Sequence, residues 1–410
     1  MGLVLIRLKM TSNEYDFKRQ MYEYGLSMKS FSRLKADKHN LKFSTQQLRR
    51  SLSLALTSKE RENAPTIQRT RRHRGPRTTR QPRMLLLLAF LAAAAAAAFF
   101  LFKFVTADGD FTLLSCGRPR RDKVDGKVVW ITGASRGIGE VLSMQFASLG
   151  AKLILSARNK EELERVKHNI MSKHPDSKVE VLPMDLSSDE KSLKEVVHSA
   201  ESLFSSAGID YMMHNAAFER PKRGALEETE EGLKATFKVN VFGTITLTRL
   251  LAPFMLDRGM GHFVVMSSAA GKVPTPGQAL YSASKHALNG YFASLRSELC
   301  TKGIKVTVVC PGPIETPESS GATSSSQRHS SEKRVSVERC AELTIVAATH
   351  GLKEAWISYQ PVLAVMYVVQ YMPTIGCWLM DKVGAKRVDA AAKKGNAYSW
   401  NLLFGGKKSA

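Results

Sequence analysis

A chain of 410 residues can hold one large α/β domain with additions, or two modest domains. Its formal charge of +23 suggests nucleic acid or a membrane surface, but residues 1–83 carry 20 Lys/Arg against 6 Asp/Glu, leaving only +9 for the remainder. The basicity is therefore a terminal feature, and no aromatic side chains alternate with the arginines of its closing run, residues 70–77, to stack on bases, which argues against a nucleic-acid partner.

Residues 1–83 have weak apolar periodicity and run into Thr70-Arg71-Arg72-His73-Arg74-Gly75-Pro76-Arg77, the composition of a solvated, disordered segment. Met84 then opens 18 uncharged apolar residues, Leu85 to Phe102, including seven successive alanines. This run is long enough to span a bilayer and has no polar face to suit a core helix, so 84–105 is expected to be a transmembrane anchor. A cleaved signal peptide is the alternative, because Val105-Thr106-Ala107 resembles a cleavage site; the length of the run favours the anchor. A methionine followed at once by an apolar run has the form of a natural start, which would make 1–83 an over-extended reading of the gene. Abundant peptides from residues 1–60 in a mass spectrum would overturn that reading. Residues 106–124 read as a linker.

From about Lys127 the pattern changes to short β-branched runs alternating with amphipathic stretches. Lys127–Ile131, Lys152–Ser156, Lys178–Leu182, Asp210–His214, His262–Met266 and Lys305–Val309 read as strands. Gly139–Leu149, Lys160–Met171, Ser188–Phe204 and Ala279–Thr301 read as helices between them. The alternation predicts parallel βαβ units over 125–360, a doubly wound sheet of about seven strands with its ligands at the strands' carboxyl ends. The five cysteines show no paired spacing, so neither a metal site nor a disulfide framework is expected.

The first strand runs into Thr132-Gly133-Ala134-Ser135-Arg136-Gly137-Ile138-Gly139 and then a helix. Glycines there permit a tight turn and close approach of a pyrophosphate to a helix N-terminus. The second strand, Ile154-Leu155-Ser156-Ala157-Arg158, has no acid to hold a ribose 2′-hydroxyl and ends in arginine. Arg158, helped by Arg136, could clamp a 2′-phosphate, which favours NADP(H) over NAD(H). The fifth strand ends at Ser267-Ser268, and Tyr281-Ser282-Ala283-Ser284-Lys285 opens a long helix 13 residues beyond Ser268. A tyrosine and a lysine at i and i+4 share a helix face. The ammonium favours the phenolate, so Tyr281 can exchange a proton with a carbonyl or alcohol oxygen that Ser268 holds.

These motifs, in this order, resemble the short-chain dehydrogenase/reductase family over roughly residues 125–360. The resemblance implies a Rossmann-type sheet and a catalytic set of Asn240, Ser268, Tyr281 and Lys285, with Asn240 holding a proton-relay water. It places the cofactor against Thr132, Gly133, Ser135, Arg136, Gly137, Ile138, Gly139, Arg158, Asp185, Leu186 and Asn215. Tyr281 and Lys285 also contact it, and Pro311, Gly312, Ile314 and Thr316 hold its nicotinamide end. One departure stands out: the family's Asn-Asn-Ala-Gly is His214-Asn215-Ala216-Ala217 here, which puts the backbone path at Ala217 in question. His214 reads as a satisfied strand-end residue.

Residues 361–410 form a hydrophobic extension with a basic tail. Val362 to Met380 is uncharged but interrupted by Gln370, Pro373 and Gly376, which suits helices capping the core, or a surface dipping into a membrane beside the active site, better than a second crossing. Lys407-Lys408-Ser409-Ala410 resembles the dilysine address of endoplasmic-reticulum membrane proteins and would need a cytosolic C-terminus. That orientation follows if Met84 is the start, since Lys103, Arg118, Arg120, Arg121 and Lys123 then follow the anchor; a real 1–83 argues for the reverse. Membrane attachment suggests a lipophilic carbonyl or alcohol, such as a steroid or retinoid. The layout resembles the membrane-anchored member-seven group of the family, with 3-ketodihydrosphingosine-type reductases as the alternative. From another class, a catalytically silent nucleotide-binding scaffold is opposed by the complete catalytic set, and a homodimer is compatible with the reading.

Overall fold

A computed structural model describes residues 80–219, 221–315 and 333–392. Expectations resting on residues 1–79, on Thr316 and the polar stretch behind it, and on Lys407-Lys408 lie outside the described residues. The chain divides into two units, Met1–Leu85 and Leu86–Ala410, and apart from the first residues of one helix the elements below belong to the second.

That helix, α1 (Arg80–Thr106), is apolar on every side, and its 23 residues from Met84 to Thr106 are wholly unburied. They are long and apolar enough to cross a membrane. Glu230–Asp257 passes the same test of length and composition, but half of it is buried, so core packing accounts for its apolar character. A short helix, α2 (Phe111–Ser115), follows the linker residue Asp110, whose carboxylate caps it by accepting the Leu113 N–H at 3.0 Å.

The sheet contains β1 (Val128–Thr132), β2 (Lys152–Ser156), β3 (Val179–Val181), β4 (Tyr211–His214), β5 (Gly261–Met266) and β6 (Ile304–Pro311). A separate ladder pairs β7 (Ile314–Glu315) with β8 (Val335–Ser336), and β9 (Glu354–Ile357) returns to the main sheet. The seven main strands are all parallel, in the order β3-β2-β1-β4-β5-β6-β9. Between them run α3 (Gly137–Ser148), α4 (Lys160–Lys173), α5 (Glu190–Ser206), α6 (Glu230–Phe237), α7 (Thr244–Asp257), α8 (Ala279–Leu299) and α9 (Val337–His350). Successive side chains of β1 enter opposite layers: Val129 and Ile131 join Leu142, Phe146 and Val346, while Val128 and Trp130 join Leu247, Phe263 and Phe292. Burial on both faces is why these strands read as continuous apolar runs.

All six predicted strands and the four predicted helices form at the expected places, with ends moved by at most two residues. The exception in the sheet is β9, absent from the predicted strands because Glu-Ala-Trp-Ile has a single β-branched residue. Its pairing with β6 and with the linker creates it: the Asp110 N–H donates to the Trp356 carbonyl at 2.9 Å, and the Trp356 N–H donates to the Asp110 carboxylate at 2.7 Å.

The chain closes with α10 (Val362–Tyr371) and α11 (Pro373–Ala392). The stretch 362–380 is thus divided between two helices at Met372, as Pro373 requires, and the ten residues of α10 are too short to cross a bilayer. Gly376 lets the pair approach closely: a Cβ there would lie 2.6 Å from the Val369 Cα.

Candidate active site

The switch point of the strand order lies between β1 and β4, and both their carboxyl ends carry predicted site residues. Thr132 and Asn215 tie the two strands together. Thr132 Oγ1 accepts the Asn215 and Ala216 N–H groups at 3.1 and 3.2 Å and donates to the Met213 carbonyl at 3.2 Å. The Asn215 Nδ2 donates to the Thr132 and Gly133 carbonyls at 3.0 and 3.2 Å. Thr132 Oγ1 and the Asn215 Nδ2 are thus engaged by the scaffold, while Asn215 also lines the cavity described below. Ala217 follows without strain: among the described residues, non-glycine positive φ angles occur at Phe204, Ser205 and Ser206, and Ala217 is not one of them.

The glycine loop turns from β1 into α3 with φ of +66° at Gly133 and +56° at Gly137, a region that disfavours side chains. Gly139 is required for another reason: its Cβ would lie 2.1 Å from the Gly133 carbonyl oxygen. Arg136 is the N-cap position of α3, and nothing lies within 4 Å of where a Gly137 Cβ would project. The result is an open concavity at a helix N-terminus, with positive dipole end and backbone N–H groups, which fits a pyrophosphate. The loop is braced from outside by Arg165, which donates to the Ser135 carbonyl at 3.0 Å and pairs with Glu140 at 2.8 Å. Arg158 is exposed just past the end of β2. Asp185 accepts the Ser187 N–H at 2.8 Å, and the buried Leu186 lies so close to Gly243 that a Cβ there would meet the Leu186 carbonyl at 2.2 Å.

A cavity of about 400 Å³ opens beside the ends of β5 and β6. Ser268, Tyr281 and Lys285 all line it, together with Ile138, Asn215, Pro311, Gly312 and Ile314 of the predicted cofactor set. Ser268 leaves β5 extended; its Oγ accepts the Ala270 N–H at 3.1 Å and lies 3.4 Å from the Pro311 carbonyl. The first turns of α8 carry Tyr281, half-buried, and Lys285, which is 2% exposed. Lys285 Nζ donates to the Met266 carbonyl at 2.8 Å and sits 5.5 Å from the centre of the Tyr281 ring. Burial disfavours its charged form and pulls the amine down to about 8, against the pull of Cys310 and Glu219. It is still mainly a cation at neutral pH.

Asn240 lies in a π-helical segment, Lys238–Gly243, between α6 and α7. Such segments are rare and recur at functional sites. Its side chain is fully engaged: Oδ1 accepts the Phe218 N–H at 2.6 Å, and Nδ2 donates to the Phe218 carbonyl at 3.0 Å and to Ser284 Oγ at 3.2 Å. Ser284 Oγ in turn donates to the Tyr281 carbonyl at 2.7 Å, so Asn240 fastens the segment after β4 to the helix that carries the tyrosine.

His214 is buried, absent from the cavity lining, and held neutral by burial, with its pKa driven down to about 3. Its Nε2 meets Thr248 Oγ1 at 2.9 Å and its ring stacks on Phe263, but its buried Nδ1 meets no hydrogen-bond partner among the described residues, so the residue packs at the strand end without being fully satisfied as expected. All five cysteines are free, and among the described residues no cluster of metal ligands occurs.

Sequence reasoning set the stretch 362–380 beside the active site without naming the residues that reach it. Val362 and Val365 of α10 and Met380 and Val383 of α11 line the same cavity as the polar set. The spacing of Gly376, Met380 and Val383 at i, i+4 and i+7 was a legible helix-face signal. Glu219 and Gln278 also line the cavity, Gln278 Nε2 donating to Glu219 Oε1 at 2.6 Å, and neither stands in a motif.

A family model described as short chain dehydrogenase matches residues 127–327. Among curated relatives, human "Dehydrogenase/reductase SDR family member 7" is 36% identical over 308 residues, covering 70% of this chain and 88% of that protein. A protein of the same name from Mus musculus is 37% identical over 304 residues, with the same coverage. "Dehydrogenase/reductase SDR family protein 7-like" of Drosophila melanogaster is 34% identical over 281 residues, covering 67% of this chain and 85% of that one. Among solved structures, L-sorbose reductase from Gluconobacter frateurii, complexed with NADPH and L-sorbose, matches with a TM-score of 0.50 at 25% identity, covering 56% of this chain and 94% of that one. A short-chain dehydrogenase from Burkholderia cenocepacia in complex with NADP shares the fold, with a TM-score of 0.52 at 24% identity, covering 63% of this chain and 98% of that one. A parallel sheet wound about a glycine loop, a Ser–Tyr–Lys cavity at its carboxyl edge and these relatives agree: the chain belongs to the short-chain dehydrogenase/reductase family and is an oxidoreductase.

Proposed function

We propose that the chain interconverts a carbonyl and a secondary alcohol on a lipophilic substrate such as a steroid or retinoid, using NADP(H). The observation that carries this reading is that one cavity is lined both by Ser268, Tyr281 and Lys285 and by the apolar Val362, Val365, Met380 and Val383. Apolar burial of that kind suits a substrate with a large hydrocarbon body and one oxygen to be oriented.

The dinucleotide fits the concavity at Gly133 and Gly137, and when bound it supplies or accepts the hydride. Tyr281 donates a proton to the substrate oxygen in reduction and withdraws one in oxidation. Ser268 holds that oxygen by hydrogen bond, and the Lys285 cation favours the phenolate. Asn240 acts on this set through its main chain, because its side chain is committed to Phe218 and Ser284. The preference for NADP(H) rests on Arg136 and Arg158, on the lack of an acid at the end of β2, and on the NADPH-bound sorbose reductase as a relative. Replacing Arg158 by Ala is expected to raise the KM for NADPH roughly 10- to 100-fold and leave the KM for NADH unchanged, as loss of a charge-assisted contact to a 2′-phosphate would. Equal effects on both dinucleotides would remove Arg158 from cofactor choice.

The reading is tested with the full chain in membranes or detergent, given NADPH and a panel of steroid, retinoid and water-soluble ketones. NADPH consumption with the lipophilic ketones is the expected result. Dinucleotide binding without turnover of any carbonyl would point to a scaffold; product formed with no change in NADPH would point to a dehydratase or epimerase. Placement of α1 across the membrane and residence in the endoplasmic reticulum belong to the same proposal, the latter resting on Lys407-Lys408.

A further inference from the structure

The last two helices have two faces with different environments. On the inner face, Leu363 and Met366 are buried in the core, and Val362, Val365, Met380 and Val383 line the cavity. On the outer face Tyr371 is 71% exposed, Met372 48%, Ile375 54% and Trp378 55%, an apolar patch with no protein cover. Ile375, Trp378 and Lys382 recur at i, i+3 and i+7, so they share one side of α11, and Lys382 Nζ lies 3.6 Å from the Trp378 ring centre. Trp beside Lys is the pairing favoured at a membrane–water interface, where the indole meets headgroups and the ammonium reaches water.

The patch is continuous with the end of the apolar helix α1. Gln360 Nε2 donates to the Phe104 carbonyl at 2.9 Å, the Phe104 and Tyr367 rings lie 6.1 Å apart, and Tyr367 stacks on Tyr371 at 6.2 Å. Phe111, at the start of α2, also exposes its ring, 74% of it. An aromatic chain thus leads from the last turn of α1 to Tyr371 at the end of α10, two residues before α11 begins.

We infer that α10 and α11 form a membrane-seated wall of the active site: the Tyr371–Trp378 face rests in the headgroup region of a phospholipid bilayer while the opposite face closes the cavity. A lipophilic substrate then enters from the bilayer, past this wall, without crossing water. The inference takes the cavity as the carbonyl site proposed above and adds the source of its substrate. An interfacial helix of this kind sinks about 5–10 Å, to the boundary of headgroups and acyl chains, and does not cross.

The test uses the full chain reconstituted in phosphatidylcholine vesicles that contain lipids brominated either near the headgroup or near the bilayer centre. The Trp378 signal is isolated as the difference between the wild-type chain and Trp378→Phe. Stronger quenching by the shallow bromines is expected. No quenching by either lipid overturns the inference, as does strongest quenching from the bilayer centre. A second variant, Ile375→Glu with Trp378→Glu, is expected to raise the KM for a membrane-partitioned ketone roughly tenfold, the scale of losing one buried apolar anchor, with no change for a water-soluble ketone or NADPH. If that variant instead converts a dimer to monomers while Trp378 stays unquenched, the patch belongs to a second copy and the inference falls. Quenching requires no turnover, so docking without NADPH consumption sinks only the reductase reading, and turnover with an unquenched Trp378 sinks only the docking.

Discussion

Tyr281→Phe should lower kcat for carbonyl reduction by roughly 10²- to 10⁴-fold, the range of general acid–base catalysis, with NADPH affinity nearly unchanged. The substitution removes one oxygen. The ring keeps its place at the start of α8, above Lys285, and the backbone tie from Ser284 to the Tyr281 carbonyl does not involve the hydroxyl. What is lost is the proton delivered to the substrate oxygen. Steady-state rates with a lipophilic ketone, paired with a dinucleotide-fluorescence titration, separate the two effects. A Phe variant that turns over like wild type would take the phenol out of the chemistry. One that loses NADPH binding as well would show that Tyr281 holds the cofactor more than it acts on the substrate.

Lys285 carries the second large effect. Because burial pulls its amine down to about 8, reduction by the wild-type enzyme is expected to decline as pH rises through that value. The sign follows from the charge. Below about 8 the amine is a cation one helical turn from the phenol; above it the amine is neutral and the phenolate loses its support. Lys285→Met should reduce kcat by about 10²-fold or more at neutral pH and abolish the descending limb near 8. The same variant should fold as well as wild type. A lysine whose folded pKa lies below its ordinary value of 10.5 opposes folding while charged, and this opposition fades as pH rises from about 8 towards 10.5. A methionine of similar volume removes it, at the loss of the bond to the Met266 carbonyl. A variant whose Tm collapses would recast Lys285 as a structural residue, and a retained alkaline limb would assign it to another group.

Much of this was readable from local patterns. The strands β1 and β2 announce themselves as Val-Val-Trp-Ile-Thr and Lys-Leu-Ile-Leu-Ser, β-branched or apolar and bounded by glycine or polar residues. The phenol and amine four residues apart must share a face once α8 forms, whatever the rest of the chain does. Strand β9 was hidden because Glu354–Ile357 has little propensity of its own and becomes a strand by pairing with β6 and Asp110. Asn240 was marked by its motif, yet where its side chain goes depends on Phe218 and Ser284, which are distant in sequence.

Residue order alone was enough to establish the parallel α/β class, the glycine loop, the Ser–Tyr–Lys pattern and an apolar helix long enough to span a bilayer, because each follows from local spacing or from the alternation of short local patterns. Three-dimensional packing was needed to show that the C-terminal helices are a wall of the cavity, that Thr132 and Asn215 serve the scaffold, and that burial draws Lys285 towards neutrality. Those facts depend on contacts between residues tens to hundreds of positions apart, where the free energy of burial, and not local preference, selects the partner.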